Sequence, residues 1–228
     1  MKILAAHQPV YLPDLAFFYK MAKADVFVLA DDLQYSTHGN INRARIKSAA
    51  GAQWLTVPVL THGRQGQRIR EVEIANAFHW RQRHLKTLTV SYKKAAFFEK
   101  YIDFFEELYA KAWHRLFDLN LAGIEYLREA LEIRTPLKWS SEMGIEARGT
   151  ARIIEMAHRL GCDAYLAEQR YESVLDPEAF AAAGLILIFV DEATRPYHQL
   201  FGDFIPGLSV VDLLMNEGDM ARRILLGG

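Results

Sequence analysis

Two short apolar runs flank one amphipathic stretch at the start of the chain and leave it few ways to fold. "KILAA" (Lys2 to Ala6) breaks off into the polar, proline-bearing "HQPVYLP". "DLAFFYKMAKA" follows, with Leu15, Phe18, Met21 and Ala22 at helical spacing and Asp14 suited to cap its start. "DVFVLADD" is then a second β-rich run ending in two acids. Strand, loop, helix and strand in this order are the βαβ unit of a doubly wound fold. The expected class is therefore α/β, a Rossmann-like, mostly parallel sheet with flanking helices.

The rest of the chain extends that reading. "QWLTVPVL" (53–60) and "IREVEIA" (69–75) read as strands joined by the polar "THGRQGQR". From 79 to about 132 the periodicity turns helical. Phe97, Tyr101, Phe104, Phe105, Leu108, Leu116 and Leu119 form an apolar stripe, and two or three helices are expected, with a break near Asn120. "TPLKWSSEMG" predicts a short strand and a capped turn, and "ARGTARIIEMAHRLGC" a helix stopped at Gly161. "DAYLAE" reads as a strand, "DPEAFAAAG" as a helix with Pro177 in its first turn, and "LILIFVDE" as a strand. A last helix begins near Ser209 and stops before Gly218, followed by a tail. With no repeat or obvious linker, residues 1–228 read as a single domain with a helical elaboration at about 79–132.

Composition narrows the functional classes. Hydrophobic residues make up 51% of the 228, enough for a substantial core, and the formal net charge is −1. That balance gives no global attraction for nucleic acid or an anionic membrane. The single cysteine, Cys162, excludes an intrachain disulfide and fits a reducing compartment. The apolar run "AFAAAGLILIFV" is too short to span a bilayer, and the first residues lack the pattern of a signal peptide. The expectation is a cytoplasmic protein without membrane insertion, acting on a small-molecule substrate, with a homo-oligomer possible.

In open α/β sheets ligands bind beyond the carboxyl ends of the strands. Three polar clusters fall there: His7-Gln8 after the first strand, Asp31-Asp32-Gln34-Tyr35 after the second, and Glu168-Gln169-Arg170 after a later one. His7 suits a general base, a phosphate donor or a metal ligand, or equally a satisfied loop histidine. Asp31 and Asp32 can hold Mg²⁺ or a sugar hydroxyl, or one can cap a turn while the other is solvated. "NINRARIK" gathers Asn42, Arg43, Arg45 and Lys47 as an oxyanion or phosphate clamp, or as the wet face of a strand. Ser140 and Ser141 read as a helix start or as phosphate donors. No histidine pair has zinc-helix spacing with a glutamate partner, so no dedicated metal site is predicted. Phosphate-loop, G-x-G-x-x-G and G-x-S-x-G patterns are lacking, which leaves kinase, nicotinamide-enzyme and α/β-hydrolase readings unsupported.

Several blocks together resemble the WbqC-like protein family: "HQPVYLPDLAFFYKMAKADVFVLADDLQY", "NINRARIK", "WLTVPV", "YLAEQRYESVLDPEAFAAAGL" and "YHQLFGDFIPGLSVVDLLMNEG". His7, Gln8, Pro9, Tyr11, Leu12 and Pro13 match the opening motif, Asp31, Asp32, Gln34 and Tyr35 the second, and Asn42, Arg43 and Lys47 the third. Tyr197, Gln199, Phe204, Pro206, Ser209, Asp212 and Asn216 match the last. Asp14 and Ala16 stand where Trp and Gly are usual, and "YLAEQR" replaces a more usual Ser-Gly after its strand. The opening also has the rhythm of the adenylyltransferase-like group that includes pantothenate synthetase, without its His-x-Gly-His.

The resemblance implies activity on nucleotide-activated or amino sugars in cell-surface polysaccharide (O-antigen-type) precursor biosynthesis, and the preferred reading is an enzyme that transfers an acyl or related group to a nucleotide-linked amino sugar. In that role His7 is the base, and Asp31 or Asp32 orients His7 or the sugar. Arg43 and Lys47 take the diphosphate. Gln8, Tyr11, Gln34, Tyr35, Asn42, Glu168, Tyr197 and Gln199 complete the binding set. Two alternatives compete. One is a nucleotidyltransferase-like enzyme with Mg²⁺ on Asp31 and Asp32. The other is a non-catalytic partner of a sugar-pathway enzyme, docking through the aromatic helices from Phe97 to Leu127.

Overall fold

Strands buried on both faces must be largely apolar, and "VFVL" and "AYLA" satisfy this: every residue of both is buried, as is Glu168, which closes the second strand. They lie in the architecture given by a computed structural model, which describes residues 1–37, 39–190 and 196–227. In chain order the elements are β1 (Ile3–His7), α1 (Leu15–Lys23), β2 (Val26–Leu29), β3 (Arg43–Ser48), β4 (Gly51–Thr56), α2 (Trp80–Tyr92), α3 (Phe98–Ala110) and α4 (Leu116–Ala130). Then come β5 (Leu137–Trp139), α5 (Gly149–Arg159), β6 (Ala164–Glu168), α6 (Pro177–Ala182), β7 (Ile186–Val190), α7 (Val210–Glu217) and α8 (Ala221–Leu226). The protein is thus the mixed α/β fold that the opening pattern predicts.

The chain forms two compact units. The first comprises Met1–Gln8, Ala16–Asp32 and Ile133–Ala193. Its sheet has the order β5-β2-β1-β6-β7, all neighbours parallel. The chain starts on the central strand, steps outward through β2 to β5, then returns to the other side of β1 to lay down β6 and β7. The order therefore reverses at β1, the arrangement whose crevice holds ligands in open α/β sheets. Leu4, Val28, Met156, Tyr165 and Phe180 form part of a continuous core with the buried Cys162. Asp176 caps α6 by accepting the amides of Glu178 and Ala179. Asp191 and Glu192, expected to extend β7, lie outside the described residues.

The second unit comprises Pro9–Leu15, Leu33–Glu132 and Thr194–Gly228. Here β3 and β4 form an antiparallel ribbon among helices. The proline-bearing segment after β1 is woven into it: Tyr11 N–H donates to Ile41 O, and Val210 N–H to Pro13 O. Leu12 takes φ +40° while its side chain is buried.

Local pattern misleads at four places in this unit. Ile69–Glu71 is one turn of 3₁₀ helix rather than the start of a strand, and Ile74 makes only an isolated bridge to Val59. β4 ends at Thr56, so "VPVL" is not part of it. The helical breaks fall at 93–97 and 111–115, whereas Asn120 lies inside α4. Its amide donates to the carbonyls of Pro9 and Ile41, both 2.9 Å away, a tertiary role that sequence spacing does not show. The C-terminal tail is helical, as α8. Of the apolar stripe, Tyr101, Phe105, Leu108, Leu116 and Leu119 are buried, whereas Phe97 and Phe104 are half-buried.

Candidate active site at the strand-order reversal

His7 closes β1 and Glu168 closes β6, which places both at the carboxyl edge where the strand order reverses. His7 Nε2 stands 3.6 Å from Glu168 Oε1. The same oxygen accepts from Lys20 Nζ at 2.7 Å, and Arg170 pairs with the other carboxylate oxygen. Lys20 and Glu168 are 2% and 1% exposed, so this ion pair is shielded from water while Arg170 sits half exposed at its rim. Burying such charges is tolerable because each has an opposite partner.

The tautomer of His7 follows from its neighbours. Nδ1 lies 2.8 Å from the Gln8 carbonyl, which can only accept, so Nδ1 carries the proton. Burial first, and then the Lys20 ammonium, lower its pKa from 6.5 to about 4, against an opposing pull from Glu168. The ring is therefore neutral near pH 7, with a lone pair on Nε2, and among the described residues no donor hydrogen-bonds to that atom. Phe17 packs edge-on against the imidazole at 5.1 Å, fixing its plane.

The carboxylates after β2 are arranged differently. Asp31 Oδ1 accepts the Ser141 amide at 3.0 Å and the Ser140 hydroxyl at 3.4 Å, and Oδ2 accepts the Ser141 hydroxyl at 2.7 Å. Asp32 receives Arg152 Nη2 on both oxygens, at 2.7 and 2.8 Å, together with the Ser140 hydroxyl. Burial pushes the Asp32 carboxyl up, but the hydrogen bonds from Ser140 and Arg152 outweigh it and hold it below its ordinary value. These oxygens are already surrounded by donors, so the residues do not fit a hard cation, which needs open carboxylate lone pairs. The donors tie the turn after β5 to the end of β2. The group facing His7 Nε2 is Glu168, not either aspartate.

The remaining candidates belong to the second unit, apart from Gln8, whose carbonyl orients His7. Lys47, 1% exposed, donates to Gln199 Oε1 at 3.2 Å and to the carbonyls of Gly202 and Asp203. Gln199 also accepts the Ile205 amide at 2.9 Å and returns a bond to the Ile205 carbonyl. Tyr197 and Tyr92 each donate to a different oxygen of the wholly buried Asp212, both at 2.8 Å. Tyr11 lies between Tyr109 and His84 Nδ1, and His84 Nε2 donates to the Thr56 carbonyl at 3.2 Å. Asn42 donates to the Val57 carbonyl. Arg43 lies 4.7 Å from the half-exposed Trp54 ring and donates to Asn40. Tyr35 is buried, and Gln34 is exposed with a backbone bridge to Arg68.

Sequence reasoning missed Lys20 and Arg152. Lys20 carried a signal: with Phe17, Met21 and Ala24 it falls on one face of α1, and a charged residue on an apolar face needs a buried partner. Arg152, on α5, carried no comparable sign.

Comparison with known proteins gives a consistent picture. The model of the WbqC-like protein family matches residues 8–224. An "Uncharacterized protein Rv1507c" of Mycobacterium tuberculosis is 32% identical over 227 residues, covering 99% of this chain and 98% of that protein. No solved structure matches. Among the described residues no helix is long and apolar enough to cross a membrane.

Proposed function

The chain belongs to the WbqC-like protein family, and from that membership and the chemistry of the His7 cluster we propose that it is a transferase of cell-surface polysaccharide precursor biosynthesis. It moves an acyl or related group onto the amine of a nucleotide-linked sugar. The observation that carries this reading is the neutral His7, its Nε2 lone pair 3.6 Å from a buried carboxylate where the strand order reverses.

In this reaction the acceptor nitrogen attacks the acyl carbon, the new N–C bond forms, and the bond to the leaving group breaks. The amine proton passes to His7 Nε2 and from there to the leaving group. Glu168 faces the imidazolium while it exists, in surroundings from which water is largely excluded. Arg170, half exposed at the rim, supplies positive charge for the substrate phosphate.

The test is a thermal-shift screen with nucleotide-linked amino sugars, acyl donors and nucleoside triphosphates, followed by turnover with the binders. A ligand specific to the native state raises Tm. His7→Ala is expected to lower turnover by about 10²–10⁴-fold. Wild-type turnover in His7→Ala, or binding of nucleoside triphosphates to the exclusion of nucleotide sugars, would overturn the proposal.

A further inference from the structure

The catalytic reading leaves Lys20 without a role, although it is almost wholly buried and its Nζ reaches the same Glu168 oxygen that faces His7. Three groups meet there, Nζ to Oε1 at 2.7 Å and Oε1 to Nε2 at 3.6 Å. A carboxylate used only to orient the imidazole would need no buried ammonium beside it. With Lys20 present, Glu168 Oε1 is committed to one strong bond before His7 gains a proton.

We propose that Lys20 is a positioning residue of the His7 site: by pinning Glu168 Oε1 it fixes where the carboxylate meets the imidazole and governs how firmly Nε2 holds a proton taken from a bound donor. The inference rests on the reading of His7 as the base. When a donor X–H gives its proton to Nε2, the imidazolium carries N–H on both nitrogens. The new Nε2–H then competes with Lys20 for Oε1. Because Lys20 already holds that oxygen, the imidazolium is only partly stabilised and readily passes its proton to the leaving group. Without Lys20, Glu168 Oε1 would be open to the imidazolium N–H and would hold the proton on His7 more firmly.

Among the described residues, three other side chains act on His7. Glu168 comes from β6, Arg170 from the turn after it, and Phe17 from α1 alongside Lys20. Arg170 also opposes protonation, but it sits on the other carboxylate oxygen and half in solvent, where its field is screened. Lys20 is the buried cation on the oxygen that faces Nε2.

The experiment is an NMR titration of the His7 ring in the ¹⁵N-labelled full chain, over the pH range in which circular dichroism shows the fold intact. In Lys20→Met, His7 is expected to titrate at least about one pH unit higher than in the wild type. Lys20→Arg, which keeps the charge, should restore the wild-type midpoint. A Lys20→Met midpoint equal to that of the wild type would overturn the proposal. Should Lys20→Met not fold, the wild-type chain decides. The Lys20 Nζ resonance must move with the His7 midpoint, and a signal indifferent to His7 titration would overturn it equally. None of these readings uses a substrate, so they stand apart from the turnover of His7→Ala, which tests the function.

Discussion

Lys20 Nζ and Glu168 Oε1 lie 2.7 Å apart although the two residues are separated by 148 positions in sequence, and neither has appreciable contact with solvent. Removing one partner of such a pair leaves the other charge desolvated and uncompensated, which costs more than the pair itself contributes. Glu168→Gln removes the carboxylate charge that Lys20 Nζ meets at 2.7 Å. Its unfolding free energy in urea is expected to fall by about 3–5 kcal/mol. A loss below about 1 kcal/mol would mean that the pair is effectively solvated.

Stability should also depend on pH through two histidines, the buried His84 and the partly buried His7. His7 and His84 are both lowered to about 4, by burial first, with the Lys20 charge adding at His7. Between their folded values near 4 and the ordinary 6.5, the unfolded chain binds protons that the folded chain refuses. Their contribution is therefore complete above pH 6.5 and is lost as pH falls toward 4, by up to about 3 kcal/mol for each histidine. Urea midpoints measured from pH 7 down to pH 4.5 check this, and His84→Gln should flatten the slope.

Lys47 holds the segment from Gln199 to Ile205 against β3 through one side-chain oxygen and two backbone carbonyls. Lys47→Met is expected to leave those acceptors without their donor and to lower stability by about 1–3 kcal/mol. Because the loss is local, hydrogen exchange at the Ile205 amide should quicken more than exchange in β1 or β6. Equal acceleration everywhere would contradict a local clamp.

Gly218 follows α7 with φ +53°, and a Cβ there would run into the Phe97 ring. Strained backbone and steric overlap then act at one position. Gly218→Ala is expected to cost about 3 kcal/mol or more, read as a lowered Tm. Adding Phe97→Leu should recover part of the loss by making room, while leaving the backbone strain.

What the sequence by itself determined is the local grammar of the sheet and the edge on which chemistry would lie. "ILAA", "VFVLA" and "AYLA" are apolar runs, each followed at once by a polar residue, because a parallel strand covered on both faces admits little else. That rule alone puts His7, Asp31 and Glu168 at strand ends. It does not say which of them meet. The chain leaves β2 for the second unit and returns only at Ile133 to add β5 and then cross to the far side of β1. That path brings Glu168 to His7, and Ser140, Ser141 and Arg152 to the two aspartates.

The buried polar partners were illegible for the same reason. Periodicity shows which face of α1 is apolar, and so flags Lys20 as anomalous. The carboxylate that neutralises it is supplied by tertiary structure. Likewise Lys47, Tyr197 and Gln199 read from sequence as polar residues available to a ligand. Folding surrounds them with carbonyls and the Asp212 carboxylate, because a polar group moved out of water must find a partner inside. Side-chain chemistry and strand ends are local properties written in order along the chain. The pairing of one buried charge with another is decided only when distant segments close on each other.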